Sequence, residues 1–149
     1  MVITSEGNME ISTALLQPVI VLGLWSVVMM VVTISARIKY MSNLDIAPEE
    51  AKHTSDVAPK LPSNIRQIGD NYNHLHEQPT VFYAVAIAIA LSGHGEGIQV
   101  QLAWAYVILR IIHSLIQSIY NNVMHRFIVF FISGILIGAM AIIEILNWI

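Results

Sequence analysis

Residues 71–91, NYNHLHEQPTVFYAVAIAIAL, begin as a polar segment and end as an apolar run. From Thr80 to about residue 93 the run is shorter than the roughly 20 helical residues that a bilayer core requires. It reaches that length only by drawing in the polar residues from about 71 onward. On that reading His74 and Glu77 enter a spanning helix, and Pro79 stands where a helix can bend.

Working outward, the rest of the chain has the same character. Of its 149 residues 56% are hydrophobic and 11% charged, against about 25% charged in an ordinary soluble domain, and the mean hydropathy is +0.66. Three further blocks are long enough to span. Residues 14–36 carry no charge, 102–120 are apolar except for Arg110, His113 and Gln117, and 127–148 are apolar except for Glu144. A barrel would need alternation of period two in segments of about 10 residues, and none runs through these blocks. The expectation is an all-α integral membrane four-helix bundle in one transmembrane domain. Its helices should cover about 12–40, 66–93, 99–121 and 124–148, with a polar loop at about 41–65. The first block is too long for the apolar core of a signal peptide and no Lys or Arg precedes it, so it is expected to be retained. There is no cysteine, which excludes disulfides, thiolate metal sites and a cysteine nucleophile. A net charge of −3 says little about partners in a chain with so few charges, and no nucleic-acid partner is expected.

Arg37, Lys39, Lys52, Lys60 and Arg66 lie in or beside the first connection, and Arg126 flanks the third. The positive-inside rule places those connections in the cytoplasm and both termini on the opposite side. Pro48, Pro59 and Pro62 break any continuous helix in the long connection. DIAPEEAK, residues 45–52, can begin a short helix there, and the segment reads either as a linker or as a lid over a site. SGHGEG, residues 92–97, is a tight turn whose His94 is assigned no role.

Charges inside spans are costly and mark candidate sites. Tyr106, Arg110, His113, Gln117 and Tyr120 follow alternating steps of four and three, one stripe of the third helix. Arg66, Asp70, Asn73, Glu77 and Thr80 do the same on the second. Facing stripes would pair Glu77 with Arg110. That pair can be a register-setting ion pair alone, but His74, Asn73, His113 and Gln117 exceed what one pair needs, which points to a wet cavity. His74 and His76 project to nearly opposite sides of a helix, so no metal site is expected. Ala84, Ala86, Ala88 and Ala90, with Gly134 and Gly138, form small-residue pairs suited to close helix contacts, within the chain or between copies.

Arg110-x-x-His113-x-x-x-Gln117, Arg126 at the start of the fourth helix, and EQPTVFY in the second together resemble the MAPEG family, membrane-associated proteins in eicosanoid and glutathione metabolism. The resemblance covers about residue 37 to the end and is strongest to the bacterial branch. It implies a homotrimer in the bacterial inner membrane, with glutathione as co-substrate between neighbouring protomers in a cavity open to the cytoplasm. Arg126 matches the arginine that stabilises the thiolate and is the implied catalytic residue. Glu77 matches the glutamate that holds the peptide's amino end, Arg110 and His113 match third-helix contacts, and Arg37 resembles a first-helix arginine supporting a carboxylate. Asn73, His74 and Gln117 complete the implied glutathione-binding set. The chain departs from some members at Asp70 and His74, where an arginine and an asparagine are usual, at Gln117 and Phe130, where tyrosines are, and at Phe127, where a serine is. The leading reading is a glutathione-dependent transferase or peroxidase acting on hydrophobic electrophiles or lipid peroxides. The alternative is a non-catalytic membrane protein binding lipid or a protein partner, its polar seam serving assembly.

Overall fold

The computed structural model describes residues 11–44 and 52–149; the DIAPEEAK segment and Pro48 lie almost wholly outside them. The described chain forms α1 (Thr13–Asn43), α2 (Thr54–Val57), a 3-10 turn (Ala58–Lys60), α3 (Ser63–His74), α4 (Gln78–Ser92), α5 (Ile98–Ile119) and α6 (Val123–Asn147). No strand occurs among the described residues. Helices α1, α5 and α6 are long and apolar enough to cross a membrane.

The expected second helix over 66–93 is two helices. α3 ends at His74, and α4 starts at Gln78 with Pro79 in its first turn. The physical reason lies in Pro79, which has no N–H and would clash with the carbonyl four residues earlier in a continuous helix. At about 1.5 Å per residue the 15 residues of α4 reach roughly 22 Å, short of a hydrocarbon core of about 30 Å. α3 makes up the rest of the wall.

Around the α4 level the bundle closes as a ring: α1 packs on α4, α4 on α6, α6 on α5 and α5 on α1. Around the α3 level, α3 packs against α1 and α5. The wall beside the first turns of α6 is thinner there, and a cavity opens in it. Where the ring is complete the core is dry. Leu15, Leu22, Phe82, Ala86, Ile89 and Met140 are buried in it, and the Phe82 ring stacks on Tyr106 with centroids 4.3 Å apart. The small pair Ala86 and Ala90 faces inward, while Ala84, Ala88 and Gly138 face out. α1 leaves Ile20, Leu24, Val27 and Val31 exposed, as a helix bathed in lipid requires.

The long connection is partly docked. Val57, Leu61 and Ile65 pack against Ala36, Tyr40 and Met41 at the end of α1. Pro59 sits in the 3-10 turn and Pro62 caps α3, so these two prolines bound helices as expected.

At the far end of the bundle the structure corrects the reading of His94. Glu144 of α6 is buried, accepts the Ser92 hydroxyl at 2.6 Å, and lies 3.1 Å from His94 Nδ1. The residue assigned no role therefore ties the α4–α5 turn to α6. Ser12 adds a second tie: its N–H donates to the Ala90 carbonyl, and its hydroxyl accepts from Gly95 N–H. A Cβ on Gly95 would lie 2.8 Å from Ser12 Cβ and 3.1 Å from Leu15 Cβ, both anchored to backbone. Gly95→Ala is expected to cost about 1–3 kcal/mol through overpacking, read as a lower Tm of the purified protein. Gly138→Ala, with nothing within 4 Å of its added Cβ and Ala the better helix former, is the control that keeps or raises Tm.

Candidate functional site

α5 presents the expected polar stripe inward: Tyr106, Arg110, His113 and Gln117 are buried, and Tyr120 at its end is exposed. The facing stripe is not the expected one. Arg66, Asp70, Asn73, Glu77 and Thr80 are all exposed. The row that meets α5 lies one residue over: Gln67, Asn71, His74 and Gln78. Gln67 Nε2 donates to the Ser118 carbonyl at 3.0 Å, and Asn71 Nδ2 to the Ser114 hydroxyl at 2.7 Å. His74 Nδ1 is 2.9 Å from Gln117 Oε1, and Arg110 Nη1 donates to Gln78 Oε1 at 3.3 Å. Both rows have the same helical spacing. The row of amides and one imidazole is the cheaper to bury, because a neutral group needs one hydrogen bond where a buried charge needs a counter-ion and more.

The expected Glu77–Arg110 pair is therefore corrected. Arg110 is fully buried and bonded to neutral acceptors, Gln78 and the His74 carbonyl, the latter at 2.9 Å. Its guanidinium also lies over the Phe130 ring at 5.5 Å. The Glu77 side chain is 60% exposed, and its carboxylate lies 4.0 Å from His74 Nε2. Glu77 stands at the N-cap position of α4 with backbone angles of −95° and −96°, so the break carries its side chain off the face that meets α5.

That carboxylate opens on a cavity of about 260 Å³ lined by His74, Glu77, His113, Val123, Arg126, Phe127 and Phe130. His113 Nδ1 is 3.2 Å from the Arg126 carbonyl. A carbonyl accepts and does not donate, so Nδ1 carries the proton and Nε2 keeps its lone pair. Nε2 is buried without a hydrogen-bond partner. Arg126 Nη1 donates to Asn121 Oδ1, whereas its Nε is buried and unpartnered. The cavity is thus walled by an imidazole and a guanidinium that each keep one buried, unpartnered nitrogen, together with Glu77 and two phenylalanines.

Arg37 and Asn73 stand elsewhere. Both line a cavity of about 510 Å³ formed with Arg66, Asp70 and the docked connection, and a second of about 460 Å³ between α1 and α3. Gly69 permits this, because a Cβ there would meet Arg37 Nη2 at 2.8 Å. Asn121 joins the two regions, lining the 510 Å³ cavity while holding Arg126. Among the residues singled out in the sequence, His74, Glu77, His113 and Arg126 come together. Gln117 and Arg110 sit behind them, and Arg37 and Asn73 line other walls. Gln78, Asn121 and Ser133 were not singled out, although Gln67, Asn71, His74 and Gln78 carry a legible four-three-four spacing. No group of three metal-ligating side chains occurs among the described residues.

A helical bundle with lipid-facing apolar helices, a polar seam and a charged cavity at its basic end is an integral membrane protein built around an internal polar site. The profile of the MAPEG family matches residues 15–146, and the chain belongs to that family, whose members serve glutathione and eicosanoid metabolism. No curated protein and no solved structure matches the chain significantly.

Asn121 holds a left-handed backbone with φ of 50°. Asn121→Ala is expected to cost about 1–2 kcal/mol from that conformation, and Asn121→Gly less, both measured by thermal unfolding. Both variants release Arg126, so they separate backbone strain from the orientation of the guanidinium.

Proposed function

We propose that the protein is a membrane-bound, glutathione-dependent transferase or peroxidase acting on hydrophobic electrophiles or lipid peroxides. The observation that carries this reading is Arg126, oriented by Asn121, with a buried unpartnered Nε at the edge of the cavity that holds Glu77. The charges fit the tripeptide in kind. Glutathione has one ammonium group, two carboxylates and a thiol, and Glu77 suits the ammonium while the arginines suit the anions. It supplies the nucleophilic sulfur. A free thiol has a pKa near 8.5, and an adjacent guanidinium favours its thiolate. Arginine serves well because it stays protonated and bonds anions through a planar fork. Phe127 and Phe130 give an apolar electrophile a place beside that sulfur.

Arg37 and Asn73 line other cavities than Arg126 does. In this proposal they serve the same ligand in a homotrimer, where the α1–α3 face of one copy meets the Arg126 cavity of the next. The basic end then faces the cytoplasm of a bacterial cell, from the inner membrane. The alternative, a non-catalytic protein binding lipid or a protein partner, draws on the ladder between α3 and α5, since that ladder satisfies the seam within one chain.

Glutathione titrated into the protein in nanodiscs is expected to bind at millimolar concentration or below and to give the ultraviolet absorbance of a thiolate. Arg126→Ala is expected to abolish that absorbance. Glu77→Gln should weaken binding by about tenfold or more, the loss of one charge-assisted hydrogen bond of roughly 1.5–3 kcal/mol. No binding at millimolar glutathione would leave the non-catalytic reading in its place.

A further inference from the structure

Arg110 has the geometry of a fastener. Its Nη2 donates to the His74 carbonyl at the end of α3, and its Nη1 to the side chain of Gln78, the first residue of α4. One guanidinium from α5 therefore holds both sides of the break in the second wall. Gln78 carries the connection on to α6. Its Oε1 also accepts the Ser133 hydroxyl at 2.8 Å, and its Nε2 donates to the Phe130 carbonyl at 3.4 Å. Gly134 leaves room for that amide, since a Cβ there would lie 3.0 Å from Gln78 Nε2. Arg110 and Gln78 do not line the 260 Å³ cavity, yet Glu77, which does, is the last of the three residues between His74 and Gln78, the two points that Arg110 holds.

We propose that Arg110 is a positioning residue, acting with Gln78 and Ser133 as a clamp that sets the α3–α4 break and so aims the Glu77 carboxylate into the cavity. A helix end inside a membrane leaves carbonyls that must find donors within the protein, and Arg110 supplies one to His74. A guanidinium presents five donors in a rigid plane and can serve two acceptors at once. A lysine ammonium at the end of a flexible stem does not hold that two-point geometry. The clamp does not require glutathione; its effect on ligand binding rests on the function proposed above.

Two measurements on the full-length protein in nanodiscs test it. The first is hydrogen exchange of the backbone amides of residues 75–78. Arg110→Met, Arg110→Lys and Gln78→Leu are each expected to speed exchange at least tenfold, and the Met/Leu double variant no further than the faster single. Gln78→Glu keeps the acceptor for Arg110 and Ser133 but loses the donor to Phe130, and is expected to speed exchange by less than Gln78→Leu does. Ser133→Ala, a smaller change that leaves Arg110 and Gln78 in place, should move exchange in the same direction by less. Unchanged exchange in Gln78→Leu, or additive effects of Arg110→Met and Gln78→Leu, overturns the clamp. The second is glutathione binding. Gln78→Leu is expected to weaken affinity at least tenfold while the thiolate absorbance at saturation, set by Arg126, is retained, and Gln78→Glu, which keeps the acceptor for Arg110, is expected to lose less affinity than Gln78→Leu. Faster exchange with unchanged affinity reduces the clamp to a structural part and overturns its positioning role. Failure of wild type to bind glutathione removes the proposed function, and the exchange series alone then decides the clamp.

Discussion

A guanidinium buried in a membrane bundle with no carboxylate within 4 Å among the described residues is the constraint around which the basic end is arranged. Lipid offers no hydrogen bonds, so the charge of Arg110 has to be answered by dipoles that the chain itself supplies. It is answered by a carbonyl released at the end of α3, by the amide of Gln78 and by the face of Phe130. The carbonyl is available because the second wall is broken, and Pro79 favours the break. Charge and discontinuity thus satisfy each other, which is why a polar helix break can persist beside an otherwise apolar core.

The same economy sorts the second wall into two rows. Amides and an imidazole at 67, 71, 74 and 78 turn to α5, where serine, glutamine and arginine groups meet them at hydrogen-bond distance. Charged residues at 66, 70 and 77 are left outside, where they line cavities. The seam is consequently structural and the open row is available to a ligand. His74 belongs to both, because its Nδ1 is committed to Gln117 while its ring lines the cavity with His113 and Arg126. The far end of the bundle meets the same demand with a carboxylate: Glu144 gathers the Ser92 hydroxyl and His94, and Ser12 ties the start of α1 to the same turn.

Much of this was legible in the residues. Apolar blocks of spanning length gave an all-α membrane bundle. The α5 stripe from Tyr106 to Gln117 was found by its spacing and is buried as that spacing implied. The motifs around Glu77, Arg110, His113 and Arg126 pointed to the family that the profile match shows. The facing row is not legible because two rows of identical periodicity run down α3, and only the charged one suggests an ion pair with Arg110. The role of His94 is not legible either, because its partner, Glu144, is remote in sequence and adjacent only in space.

Local chemistry in the sequence determined that the chain is helical, which long segments are apolar enough to cross a membrane, and which residue types line the basic end. Composition and period suffice for those, since each depends on a residue and its near neighbours. The tertiary structure decided what each polar group is bonded to. Arg110 meets Gln78 and the His74 carbonyl instead of Glu77, and Glu77 stands at the cavity with its carboxylate 4.0 Å from His74 Nε2. The reason is that the cost of burying a charge depends on every dipole around it, and those dipoles come from helices that sequence alone does not place against one another.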